Sequence, residues 1–234
     1  MQSSDNLNDN LNNDLNNDLN NNIENYYKRM KTGDIILFKG RHSIISTIIQ
    51  LFTSSSWSHI GIVLKDPVYI DPSLKGLFLL ESGYEDIADS INHTRNYGVQ
   101  LIDLRKKINE YDGIVVWRKL NANIDNLSEK INMIYQTIKD RPYDFNLYDF
   151  IETSMNIQRP EPSYSSAILN YFRPNHRKTD TFFCSALVAY IYTELGLFPK
   201  NTQWTRCLPK YFSDENPELK LIKGNLGPQH MIHH

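Results

Sequence analysis

The sequence predicts an α+β fold with a mostly antiparallel sheet. Three observations carry that expectation. Five short apolar segments are separated by Gly- and Pro-containing links. Three longer segments repeat their apolar residues at helical spacing. The order along the chain is strand, helix, several strands, helix, loop, helix, which does not alternate in the way a parallel α/β sheet requires.

The body is expected from residue 26 to 222, preceded by an Asn-rich low-complexity tail over 1–25 and followed by a short polar tail over 223–234. In the first tail Leu7, Leu11, Leu15, Leu19 and Ile23 recur every four residues. That spacing would suit a helix stripe. The intervening Asn and Asp side chains compete for backbone hydrogen bonds and favour disorder. The first strand is IILF (35–38), after the Gly33-Asp34 turn. SIISTIIQLFT (43–53) is amphipathic, with Ile44, Ile45, Ile48, Ile49 and Phe52 on one face. Strands follow at 59–64, 77–82, 99–104 and 113–120. A helix fits 125–139, with Leu127, Ile131, Ile134 and Ile138 aligned. Residues 141–180 read as mixed or loop structure. The final helix, 181–196, ends at Gly196, a residue suited to close a helix.

Composition excludes several classes. The 234 residues are 40% hydrophobic and 12% aromatic, enough for a core. Lys and Arg number 25 against 27 Asp and Glu, so bulk affinity for nucleic acid is not expected. That balance is uneven. Residues 1–25 carry Asp5, Asp9, Asp14, Asp18 and Glu24 and no base, which leaves +3 on the rest of a chain whose net charge is −2. No apolar run reaches the roughly 18 residues of a transmembrane span, and the first residues lack the basic and apolar regions of a signal peptide. Two cysteines, Cys184 and Cys207, make no disulfide framework. An intracellular location is expected.

The chemistry-bearing residues are few. Cys184 falls in the first turn of its helix, after Asp180 or Thr181 as N-cap candidates. Backbone N–H groups and the positive helix end gather there, a setting that favours a thiolate and can hold an oxyanion. Leu187, Val188, Ile191 and Leu195 share its face, so a small buried core cysteine is the plainer reading. A thiol nucleophile needs a base. Of seven histidines, His230, His233 and His234 sit in the C-terminal tail and His42, His93 and His176 in expected loops. Only His59 begins an apolar strand. Gly61, on the same strand face, would leave room there for a helix or ligand. Glu81, at the end of strand 77–82, can orient the imidazole if that strand pairs with 59–64. Glu85, Asp86 and Asp89 are the alternatives, in a less rigid loop. A zinc site from Cys184, Cys207 and two His is not favoured, since the two cysteines form no short C-x-x-C pair, and phosphate-binding glycine loops and a nucleophile elbow around Ser185 are missing from the sequence.

GDIILFKGRHSIISTIIQLFTSSSWSHIGIVL (33–64) resembles the opening of the circularly permuted NlpC-like cysteine peptidases, which are related to the lecithin–retinol acyltransferases. LLES (79–82) resembles their acidic strand, and FFCSALVAYIYTELGLF (182–198) their nucleophile helix. The order His59, Glu81, Cys184 is the permuted one. The family occurs in bacteria and in large DNA viruses, including poxviruses. The resemblance covers most of residues 31–210. It implies a permuted papain-like fold and a thiol hydrolase or acyltransferase acting on an amide or ester bond of a peptide or lipid. Cys184 would be the nucleophile, His59 the base and Glu81 the orienter, with no metal or organic cofactor. Tyr143-Asp144 matches a Tyr-Asp pair of relatives, whereas Ala186 stands where relatives often carry an acid. The aromatic stretch 141–175 could line a groove for an acyl chain or an apolar peptide. Transient contact with a membrane surface fits such a substrate. The alternative is a non-enzymatic virion or host-interaction protein that keeps the fold.

Overall fold

The structure is a computed structural model, and it describes residues 23–41, 55–83, 87–143, 182–214 and 220–233. The described residues form an α+β fold around a six-stranded sheet in which every neighbouring pair runs antiparallel. The strands are β1 (Ile35–Gly40), β2 (His59–Lys65), β3 (Leu77–Gly83), β4 (Gly98–Asp103), β5 (Gly113–Asn121) and β6 (Asn225–His233). Their order across the sheet is β4-β3-β2-β1-β5-β6. The helices are α1 (residues 23–29), α2 (Leu104–Asn109), α3 (Leu127–Ile138) and α4 (Cys184–Glu194).

Strand alternation divides the core into two layers. Ile60, Ile62 and Leu64 of β2, with Phe78 and Leu80 of β3, pack against α3 and α4. Val63 and Leu79 face the other way, toward Leu104 and Ile108 of α2 and the α1 region. Asp34 anchors the head of β1. Its carboxylate accepts from the backbone of Lys31 at 3.0 Å, from Trp117 Nε1 at 2.8 Å and from the backbone of Leu120 at 2.9 Å. The Tyr192 hydroxyl of α4 donates to Gly33 O at 2.8 Å, pinning the helix to the same turn.

Four expectations change. Residues 223–234 are not a free tail, because Asn225–His233 pairs with β5. The segment is hard to recognise as a strand because it is polar and contains Pro228. An edge strand tolerates both. The folded body begins earlier than residue 26: Ile23 packs on the second layer, and Glu24 bonds Arg105. Residues 104–109 form α2 rather than the end of a strand and a loop, capped by the Asp103 side chain on Lys106 N at 2.8 Å. The last helix begins at Cys184 rather than 181, with extended Phe183 as N-cap and no side-chain cap bond, and Phe182 is in a β-bridge. The expected helix 43–53, tail residues 1–22, Asp180, Thr181 and most of the 141–180 stretch lie outside the described residues.

Residues on either side of α4's approach meet the outer edge of β4. Gly98 bridges Pro142, Val99 N donates to Arg141 O at 2.8 Å, and Tyr143 then bridges Phe182. Gly98 has φ +152°, and a Cβ there would lie 2.1 Å from Arg141 O. Gly98→Ala should therefore cost about 2–4 kcal/mol, from backbone strain and overpacking together. A urea-unfolding midpoint that does not move would contradict this account of the edge.

Candidate functional site

Cys184, His59 and Glu81 meet where β2 begins and β3 ends. Antiparallel pairing of β2 with β3 puts those two strand ends together. His59 Nε2 lies 2.6 Å from Glu81 Oε2. Glu81 occupies Nε2, and the Cys184 group also acts on the imidazole, by charge and hydrogen bonding that favour its protonated form. The two strand residues share the layer of Val63 and Leu79, whereas Cys184 belongs to the layer of α4. Only a side chain at a strand end can join the two layers in this way, and His59 is the first residue of β2.

Each of the three is fixed from more than one side. The Glu81 side chain is fully buried. Its Oε1 accepts from Gln100 Nε2 at 2.8 Å and lies 3.5 Å from Lys107 Nζ. Gln100 is the direct cross-strand partner of Glu81 on β4. Gly83 leaves the space this carboxylate occupies, since a Cβ there would come within 2.9 Å of Glu81 Oε1. The imidazole of His59 lies 5.5 Å from the ring of Phe38, its cross-strand partner on β1. Ser82 faces the opposite layer from Glu81, and its hydroxyl donates to Phe182 O at 2.6 Å. One dipeptide on β3 thus supplies the acid and tethers the residue two before the cysteine.

Charge follows from this packing. Burial weighs against the imidazolium of His59. The Glu81 charge, the Cys184 group and the hydrogen bonds to both outweigh it and hold the ring above its ordinary range. Burial alone would push the Glu81 carboxyl up. Lys107 and His59, with hydrogen bonds from His59 and Gln100, hold it below the usual carboxylate range. The start of α4 adds the N–H groups of its first turn, which have no intrahelical partner and receive no cap from the Phe183 side chain. Such an end can stabilise negative charge.

The other candidates separate from this cluster. Cys207 is buried, its thiol pushed up to about 12 by desolvation, with only a long 4.0 Å contact to Gln203 O. Asp89 is committed elsewhere, tying its loop to β4 by accepting from Leu101 N at 2.7 Å and from Ile91 N at 2.8 Å. Glu85, Asp86, Asp144, His42 and His176 lie outside the described residues. His93 is exposed. His230 stacks beside Trp117 and Tyr26, and His233 Nε2 lies 3.0 Å from Tyr111 O. Gly61 does not leave an opening, because Leu79 fills the place where its side chain would be, at 2.7 Å. Ala186 is buried in the α4 layer, where a bare carboxylate would be costly. Among the described residues, no group of three or more His, Cys, Asp and Glu is placed to hold a metal ion.

Sequence reasoning missed Ser82, Gln100 and Lys107. The β3–β4 pairing would have exposed Gln100. Lys107 needs α2 to be known first: only then does the spacing of Leu104 and Ile108 place it on the buried face.

No family model matches the chain, and no curated protein matches it. Among solved structures, it is similar to the crystal structure of metalloprotein yiiX from Escherichia coli O157:H7, at 18% identity and a TM-score of 0.44. That match covers 86% of this chain and 95% of the other.

The pair of opposite pKa shifts sets a pH window. His59, raised, contributes stability that is complete below its ordinary value of 6.5 and fades as pH rises through the raised value. Glu81, lowered, contributes stability that is complete above its ordinary value of 4.5 and is lost as pH falls through the lowered value. Glu81→Gln should therefore cost about 3–5 kcal/mol near pH 6. The penalty should shrink as pH rises from 6.5 to about 10, the raised value at which the imidazole partner loses its charge. Chemical denaturation of both proteins at the two pH values checks this, and a penalty that grows with pH would contradict it.

Proposed function

We propose that this protein is a cysteine-nucleophile hydrolase or acyltransferase acting on an amide or ester bond, built on a permuted papain-like fold of the NlpC-like kind. One observation carries the reading. The imidazole of His59 is bound through Nε2 to the buried Glu81 carboxylate and is acted on by Cys184, the first residue of a helix that takes no side-chain cap from Phe183. A buried cysteine that served packing alone would need neither partner.

The chemistry follows in two balanced steps. The Cys184 proton passes to His59, and sulfur attacks the substrate carbonyl to form a tetrahedral oxyanion. The Cys184 backbone N–H, at the positive helix end, is one donor to that oxyanion. The C–N or C–O bond then breaks, and His59 returns the proton to the leaving amine or alcohol. Water, or a second acceptor, attacks the resulting thioester. His59 takes the incoming proton and returns it to the departing sulfur, which restores the thiol. Glu81 keeps the ring in the tautomer and orientation that serve both directions. The residues described here provide every proton transfer.

The substrate class is an acyl compound, a peptide or a lipid ester. The aromatic runs YDFNLYDF (143–150) and YSSAILNYF (164–172) make lipid the first class to test. Among the described residues no helix is long and apolar enough to cross a membrane, so any lipid would be met at a surface or in a groove.

Reactivity tests the reading stringently, because exposure favours the wrong cysteine: Cys184 is 1% exposed and Cys207 9%. Iodoacetamide should nonetheless label Cys184 at least about tenfold faster, and His59→Ala should slow that labelling about 100-fold. Incubation with lipid extract should leave an acyl adduct on Cys184, detected by mass spectrometry. Equal labelling of both thiols, indifferent to His59→Ala, would reject the enzyme in favour of a binding-only protein.

A further inference from the structure

We propose that Lys107 is a positioning residue of this site, holding Glu81 Oε1 so that Oε2 stays turned to His59 Nε2 throughout the reaction. The proposal rests on the thiol acyl-transfer reading above and adds a fourth side chain to it.

Lys107 lies on α2 in the run Leu104-Arg105-Lys106-Lys107-Ile108. Arg105 and Lys106 are exposed, whereas Lys107 is 1% exposed and shares the buried face with Leu104 and Ile108. Its stem crosses the second core layer. Its ammonium ends 3.5 Å from Glu81 Oε1 and 5.5 Å from the centre of the Phe38 ring. Filling that space would need only an apolar side chain, and burying an ammonium is costly unless it meets an anion. The same Phe38 ring flanks His59, so the aromatic residue packs against both cations that serve Glu81.

The reaction explains why one cation is not enough. In the resting site His59 can carry the charge that balances Glu81. When the imidazole gives its proton to the leaving group, it becomes neutral. Glu81 would then be a buried carboxylate beside an uncharged ring, free to take up a proton or to rotate toward Gln100. Lys107 remains charged through that step. It keeps the carboxylate ionised while the ring accepts the next proton.

Among the described residues, the charged and titratable groups facing the carboxylate from the packed elements are His59 on β2 and Lys107 on α2, with Cys184 on α4 beyond the ring. Gln100 on β4 is the neutral partner. Lys107→Met keeps the stem and removes the charge. The test is the pH profile of iodoacetamide alkylation of Cys184 in the full chain, with Cys207 as internal reference. Lys107→Met should move the acid limb of the Cys184 profile upward by about one pH unit or more. Lys107→Arg should return most of that shift. In a Glu81→Gln background, Lys107→Met should change the Cys184 rate by less than about twofold, because the group it acts through is gone. If Lys107→Met alone does not fold, this double variant compared with Glu81→Gln decides the matter. An unmoved acid limb, or an equal loss in both backgrounds, overturns the positioning role while a fast, His59-dependent Cys184 leaves the acyl-transfer reading intact. If Cys184 in the unaltered protein reacts no faster than Cys207, both fall together.

Discussion

Burying the charge of Glu81 is the constraint around which this end of the molecule is arranged. A carboxylate at the end of a fully buried strand is unstable unless positive charge and donors meet it there. β2 supplies His59, β4 supplies Gln100 and α2 supplies Lys107, at 2.6, 2.8 and 3.5 Å. The three come from separate elements, so the carboxylate also fixes their relative positions. The short helix α2, with only six residues, would be marginal alone. Leu104, Ile108 and the Lys107–Glu81 pair together hold it against the sheet.

A second constraint is the sheet itself. Strand alternation puts Glu81 and Ser82 on opposite layers, and both are required at the same level. Glu81 needs the α2 layer for its cation, and Cys184 needs the α4 layer for its helix. Ser82 resolves this by reaching through to Phe182 O, while the Gly98–Pro142 and Tyr143–Phe182 bridges bring the chain along the β4 edge. The helix therefore starts level with the end of β3. His59, at the first position of β2, can then contact both layers at once. A histidine one residue later on β2 would point into the α4 layer and lose the acid.

Much of this was legible from local pattern. Period-two alternation and Gly/Pro punctuation located β1 to β5 to within about two residues, and helical spacing located α3 and the body of α4. The strand-end position of Glu81 identified it as the acceptor within reach of His59 once β2 and β3 paired, whereas Asp89 is taken up by the backbone of Leu101 on β4. What the pattern hid is nonlocal. β6 is polar because only one side of an edge strand need be buried, and Ile232 is its one fully buried apolar residue among the described ones. α2 was hidden by its length and by a basic run that reads as solvated surface. Phe182 left the helix because its carbonyl and N–H are used by Ser82 and Pro142, partners 100 and 40 positions away along the chain. No window of sequence contains such competition.

The electrostatics of the site also follow from which residues are neighbours rather than from net charge. The body is mildly basic, yet the charges that matter alternate across a few ångströms: Lys107, Glu81, His59, Cys184. In that row the Glu81 carboxylate lies between the Lys107 ammonium and the His59 ring. A low-dielectric setting strongly resists changes in net charge and resists internal transfers between adjacent groups far less. A row that ends on a buried ammonium therefore favours a carboxylate that stays ionised whatever the charge on the ring. Arginine at position 107 would keep that sign and with it most of the effect on the carboxylate. A lysine on a buried helix face suits this geometry because its compact ammonium needs little lateral room.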